Sequence, residues 1–175
     1  MRGCNGIAAP ISEMDEELFN PRRPYRFFHP RQAMRGRATS GTPTNHATVS
    51  LYNNSTGQAT LAVRDVTISG TASDTVAIQY AQTQIGTTAG QQAALVANEA
   101  ITPGLMAWID SATVYSGDYV AALTAQGAFW WQHDYPFALV QPGFSLIFQD
   151  ITVAHALTVS LIWEAIEIDQ LDWFF

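Results

Sequence analysis

The chain has 175 residues, 47% of them hydrophobic and only 13% charged, with a formal net charge of −7. This is ample apolar material for one domain with a sizeable core, while so few charges on a soluble chain point to a surface covered by partners. A single cysteine, Cys4, excludes an internal disulfide framework and a thiolate metal site, and no apolar run approaches the roughly 18 residues of a membrane-spanning helix.

The charge is unevenly spread. All eight basic residues are arginines, and seven of them (Arg2, Arg22, Arg23, Arg26, Arg31, Arg35 and Arg37) precede Ala38. With Glu13, Asp15, Glu16 and Glu17, residues 1–37 carry +3, and the remainder carries −10, from Arg64 against eleven carboxylates. Met1-Arg2 is followed by no apolar h-region, so a signal peptide is not expected and the chain is read as cytosolic. Ser12-Glu13-Met14-Asp15 resembles a capping box, and Met14 with Leu18 supports two helical turns that Asn20-Pro21 would end. The proline-broken PRRPYRFFHPRQAMRGR that follows should be extended and lack a core, and ATSGTPTNH, residues 38–46, reads as a linker. The expected division is therefore an extended Arg-rich arm and linker over 1–46 and a body over 47–175. The body should stay folded when residues 1–40 are removed.

In the arm, Arg22, Arg23, Tyr25, Arg26, Phe27, Phe28, Arg31, Arg35 and Arg37 are candidate partner-binding residues. Arginines could pair with carboxylates on an acidic protein while the rings fill its pockets, or they could contact phosphates while the rings stack on bases. A mobile tail is the third reading. The absence of any lysine weighs against nucleic acid, and protein docking is favoured.

From Thr48 onward short apolar stretches alternate with turn residues. Strands are predicted over Thr48–Tyr52, Thr60–Ser69, Thr75–Tyr80, Leu105–Asp110, Asp118–Thr124, Gly127–Gln132, Phe137–Val140, Phe144–Gln149 and Leu157–Ile168, with a short helix over Ala93–Ala100. Eight or nine strands at this spacing imply an all-β, jelly-roll-like sandwich, with Leu51, Leu61, Val63, Val76, Ile78, Leu146, Phe148, Val159, Leu161 and Trp163 in its core. The strongest pattern is QPGFSLIFQDITVAHALTVSLIWEAIEI, residues 141–168, which reads as a long β-hairpin. Phe144, Leu146 and Phe148 share one face, as do Leu157, Val159, Leu161 and Trp163, and a phase change to Ile166 and Ile168 predicts a bulge near Glu164 to Ile166. The opposite face, rich in Thr, Ser and Gln, is suited to neighbouring subunits.

Residues able to do chemistry are scarce. His133-Asp134 could be a base or half a metal site, but the partners for a closed site are missing and a polar loop is the simpler reading. Asp110, Asp118, Asp134 and Asp150 fall near strand ends, where carboxylates could cleave glycosides or bind calcium but more commonly make turns. Asn53-Asn54-Ser55-Thr56 holds overlapping glycosylation acceptors and reads as a turn. Trp108, Tyr115, Tyr119, Phe129, Trp130 and Trp131 could form a sugar-stacking platform or fill a core. No phosphate loop, nucleophile elbow or zinc-binding helix motif occurs, so no cofactor, metal or catalytic residue is expected and the chain is not read as an enzyme.

Leu51-Tyr52-Asn53 before the apolar strand Leu61 to Ile68, Pro142-Gly143 between two strands, and Val159 to Glu164 ending in an aromatic and an acid together resemble small virion proteins of tailed bacteriophages. The resemblance covers about a third of the chain. It implies a head or tail structural protein with a jelly-roll-like body, such as a capsid decoration or cement protein, located in a virion assembled in the host cytoplasm. The long Arg-rich arm departs from that pattern. The expectation is a homo-oligomer, a trimer being the leading symmetry, that grips the major capsid protein or another virion protein, with neither nucleic acid nor membrane as partner. A receptor- or carbohydrate-binding module of a tail or fibre is the alternative. The final Trp173, Phe174 and Phe175 are expected to anchor to a neighbouring subunit or shell protein, or to seal the chain's own sandwich.

Overall fold

A strand that hides every second side chain is stable only against another apolar surface, and the twelve strands among the described residues supply each other with one. The computed structural model describes residues 33–71, 74–97, 103–115, 119–123, 128–132 and 136–166. In chain order the strands are β1 Ala33–Thr39, β2 His46–Tyr52, β3 Thr60–Gly70, β4 Asp74–Ala81, β5 Thr88–Ala89, β6 Gln91–Ala94, β7 Leu105–Ser111, β8 Tyr119–Leu123, β9 Ala128–Gln132, β10 Ala138–Val140, β11 Ser145–Val153 and β12 Leu157–Ile166. One sheet has the order β10-β3-β12-β1-β6, with β9 also paired to β3, and the other β5-β7-β2-β11-β4-β8. Every pairing is antiparallel.

The partners nest. β1 pairs with β12, β2 with β11, β3 with β10 and β9, and β4 with β8, the pairs falling in alternate sheets. A long antiparallel ribbon folded over itself gives this arrangement, which is the jelly roll that strand count and spacing predict. The β5–β7 excursion between β4 and β8 widens both sheets along one edge, β6 joining beyond β1 and β7 beyond β2.

Between the sheets lie all ten residues predicted for the core, each at most 4% exposed. Phe148 stacks on Phe137 with ring centroids 6.4 Å apart, and Trp163 donates its indole N–H to Pro103 O at 2.9 Å. Gly104 is required there. Its φ is +129°, and a Cβ on it would stand 2.5 Å from Trp163 Nε1.

Several expectations are corrected. Residues 141–168 are not a hairpin, because β11 and β12 belong to opposite sheets. The arch between them passes through Ala154, whose φ is 64° and whose N–H bonds Asn45 O, and through Ala156, whose carbonyl accepts from Thr71 N. Two successive strands that each turn an apolar face to one core look alike in sequence whether they pair or oppose. The bulge lies on β3: Ile162 faces Asp65 and Trp163 faces Val63, so Arg64 is the extra residue. On β12, Ala165 still packs on the core, and Ile166 is buried outside the central cluster. Gln91–Ala94 is strand, and Leu95 N continues the ladder to Ala33 O, where the sequence predicted a helix over Ala93–Ala100; residues 98–100 lie outside the described residues. No helix occurs among the described residues.

The arm boundary also moves. Ala33–Thr39, assigned to the arm and linker, is a strand held between β12 and β6, with Met34 and Ala38 in the core. Ser40 exchanges two bonds with Leu157, its N donating to Leu157 O and its Oγ accepting from Leu157 N, each at 2.9 Å. The small, Gly-containing sequence AMRGRATS reads as flexible in isolation, yet small residues are what this strand needs. A Cβ on Gly36 would come within 2.7 Å of the Trp163 ring.

Candidate docking surface

The outward-facing Thr, Ser and Gln side chains of the second sheet are engaged by the chain's own loops. Gln149 is fully buried; its Nε2 donates to Thr48 Oγ1 at 2.9 Å and Thr113 O at 2.8 Å, and its Oε1 accepts from Tyr115 N at 2.6 Å. Ser145 Oγ donates to Thr83 O at 2.7 Å and Ser50 Oγ to Ile85 O. The segments 82–86 and 112–115 are thereby laced over that face. Polar residues expected to meet a neighbouring subunit satisfy instead the backbone of loops that have no ladder of their own.

The first sheet differs. On β1, Met34, Gly36 and Ala38 point into the core, so Arg35 and Arg37 point outward, and both are exposed. The register sets their neighbours. Arg37 stands beside Gln91 on one side and Ser160 on the other, with Thr67 next across the sheet. Arg35 stands beside Ala93 and Ile162, with Asp65 beyond. These side chains line a shallow concavity of about 490 Å³.

Among the described residues no hydrogen bond or ion pair engages either guanidinium or Asp65. Partial burial raises the Asp65 carboxyl above its ordinary range. One row away the same sheet does contain an ion pair: Arg64, in the bulge, places Nε 2.7 Å and Nη2 2.5 Å from Glu164 Oε1, and both residues are buried. Arg64 is thus consumed by the fold while Arg35 and Arg37 remain open. Two guanidiniums two residues apart on one strand face can each take a carboxylate in bidentate fashion.

The remaining candidates divide in the same way. Asp110 accepts Thr44 N at 2.9 Å and Asn45 N at 2.8 Å, bonds that hold its carboxyl below the ordinary range and tie down the β1–β2 loop. Asp150, fully buried, accepts Thr152 N at 2.9 Å, and its carbonyl lies 3.1 Å from His46 Nδ1. Asn53 is also fully buried, donating to Ala59 O at 2.9 Å and Val140 O at 2.8 Å, so it locks two loops, as its turn reading requires. Trp108 and Phe129 pack against the core, and Tyr115 is half-buried. The side chains of Tyr119, Trp130 and Trp131 lie outside the described residues, as do Asp118, His133 and Asp134. So do Arg22, Arg23, Tyr25, Arg26, Phe27, Phe28, Arg31, Trp173, Phe174 and Phe175. Among the described residues no group of three His, Cys, Asp or Glu side chains is placed to hold a metal ion. No described helix is long and apolar enough to cross a membrane.

Sequence reasoning identified Arg35 and Arg37 but not Asp65, Thr67, Gln91 and Ser160, which share their surface. Alternation in β12 does place Ser160 opposite the core side chains Val159 and Leu161. What is missing from the sequence is the β6-β1-β12-β3 order that gathers these residues. Comparison with family models, curated proteins and solved structures finds no match to this chain.

Proposed function

We propose that the protein is a structural component of a virus particle, a jelly-roll unit that docks on an acidic protein surface through the outer face of its β6-β1-β12-β3 sheet. The supporting observation is the open pair Arg35 and Arg37, fixed two residues apart on a rigid central strand and unneutralised by any described neighbour. The planar guanidinium fork matches a carboxylate with two donors and loses less freedom per hydrogen bond formed, which favours a specific carboxylate partner over a diffuse electrostatic one. The low charge content and the resemblance of Leu51 to Asn53, Leu61 to Ile68, Pro142-Gly143 and Val159 to Glu164 to small tailed-phage virion proteins favour a capsid decoration or cement role. In that role the chain binds the shell and other copies of itself and performs no chemistry.

The test uses the full chain and its Arg35→Glu/Arg37→Glu variant with three probes: a 12-residue polyglutamate peptide, a 12-base-pair DNA duplex and a neutral oligosaccharide. The expected result is peptide binding that falls at least 10-fold in the variant while its melting temperature stays within a few degrees of the parent. Tighter binding of the duplex with a steep salt slope overturns the reading in favour of nucleic acid. Oligosaccharide binding indifferent to the charge reversal, without peptide binding, overturns it in favour of a tail receptor module.

A further inference from the structure

The open arginine face lies on the sheet whose strand β12 leads into an acidic stretch of sequence. β12 pairs directly with β1 and ends at Ile166. The sequence then continues as EIDQLDWFF, with Glu167, Asp169 and Asp172 and no basic residue. Glu167 and Asp169 are two residues apart, as are Arg35 and Arg37. On any extended segment such a pair projects to one side at a spacing of about 6.6 Å, so one carboxylate can meet each guanidinium.

We infer that the acidic segment 167–175 of a second copy occupies the Arg35/Arg37 face, making the sheet a self-association surface. This rests on the reading of that face as a dock for an acidic protein and names the protein as another copy of this chain. Each copy carries one acidic segment and one arginine face, so two copies can satisfy each other reciprocally and close the assembly. The Leu171, Trp173 and Phe175 positions, in phase with Glu167 and Asp169 on an extended segment, would add apolar contact of the kind that buries aromatic side chains at interfaces.

Charge exchange tests the assignment. Sedimentation equilibrium at 0.1 M salt is measured for the full chain, for Arg35→Glu/Arg37→Glu, for Glu167→Arg/Asp169→Arg, and for the variant carrying all four changes. The parent should self-associate, each double variant should weaken association at least 10-fold, and the fourfold variant should recover to within about 3-fold of the parent. An equimolar mixture of the two double variants should also recover, because the acidic segment of the first meets the unaltered arginine face of the second while the reversed segment of the second meets the reversed face of the first. A parent that is monomeric at 100 µM overturns the inference, as does a fourfold variant no stronger than its components. If self-association is insensitive to all four changes while polyglutamate binding still depends on Arg35 and Arg37, the docking reading stands and the second copy is the wrong occupant.

Discussion

Replacing Met34 by Ala tests whether the chain before Ser40 belongs to the sandwich. Met34 is 1% exposed, sits in the central cluster and lies on a strand paired on both sides. The change removes three heavy atoms from the core, worth about 2.4 kcal/mol at roughly 0.8 kcal/mol per buried methylene-sized group. A residual cavity of about 50 Å³ adds about 1 kcal/mol at roughly 24 cal/mol per Å³. The expected loss is thus about 3 kcal/mol. The neighbouring Arg35→Ala, which alters only the exposed face, should stay within about 0.5 kcal/mol. Urea denaturation of both variants reads this as a lowered midpoint at unchanged slope for Met34→Ala alone. Truncation supplies the parallel comparison: removing residues 1–32 leaves β1 in place, whereas removing 1–40 takes a central strand from its sheet and should abolish cooperative unfolding. Equal, small effects of Met34→Ala and Arg35→Ala, or a cooperative 41–175 fragment of parental stability, would refute the placement of β1.

Two further outcomes follow from buried or anchoring charges. Glu164→Ala leaves Arg64 in a buried site without its carboxylate and should cost about 3–5 kcal/mol, whereas replacing both partners with apolar residues of similar size should cost much less, a difference that a double-mutant cycle by urea denaturation measures. Asp110 has a folded-state pKa below the ordinary 3.8 because Thr44 and Asn45 donate to it, so its contribution is present above that value and is lost as the pH falls through the depressed folded value. Denaturation midpoints at pH 6 and pH 3 should therefore differ less in Asp110→Asn than in the parent, and an unchanged difference would show that the loop is held by other contacts.

The sequence by itself determined the class of fold and the contents of its core. Alternation at Leu51, Leu61, Val63, Leu146, Phe148, Val159, Leu161 and Trp163 requires one buried face per strand, and the density of Gly, Pro, Asn and Ser between strands requires short connections. Both are local properties, legible within a window of a few residues. It also marked Arg35 and Arg37 as available charges, since arginines amid small residues have no reason to be buried.

Which strands pair was decided only by the tertiary structure. Residues 144–166 satisfy the same alternation as a hairpin in one sheet or as an arch between two, because both geometries send Phe148 and Leu161 into one core. Long-range register, set by the simultaneous closure of nested pairs over more than a hundred residues, chose the arch. The same closure recruited Ala33–Thr39, whose Gly36 and Ala38 look unstructured until the Trp163 ring is placed against them. It also separated three arginines that the sequence presents alike. Arg64 meets Glu164 because a bulge turns it toward β12, whereas regular pairing holds Arg35 and Arg37 outward beside Ile162 and Ser160. A side chain's partner across a sheet depends on residues far away in the chain, so the local pattern says which face an arginine occupies and the assembled sheet decides whether it is already spent.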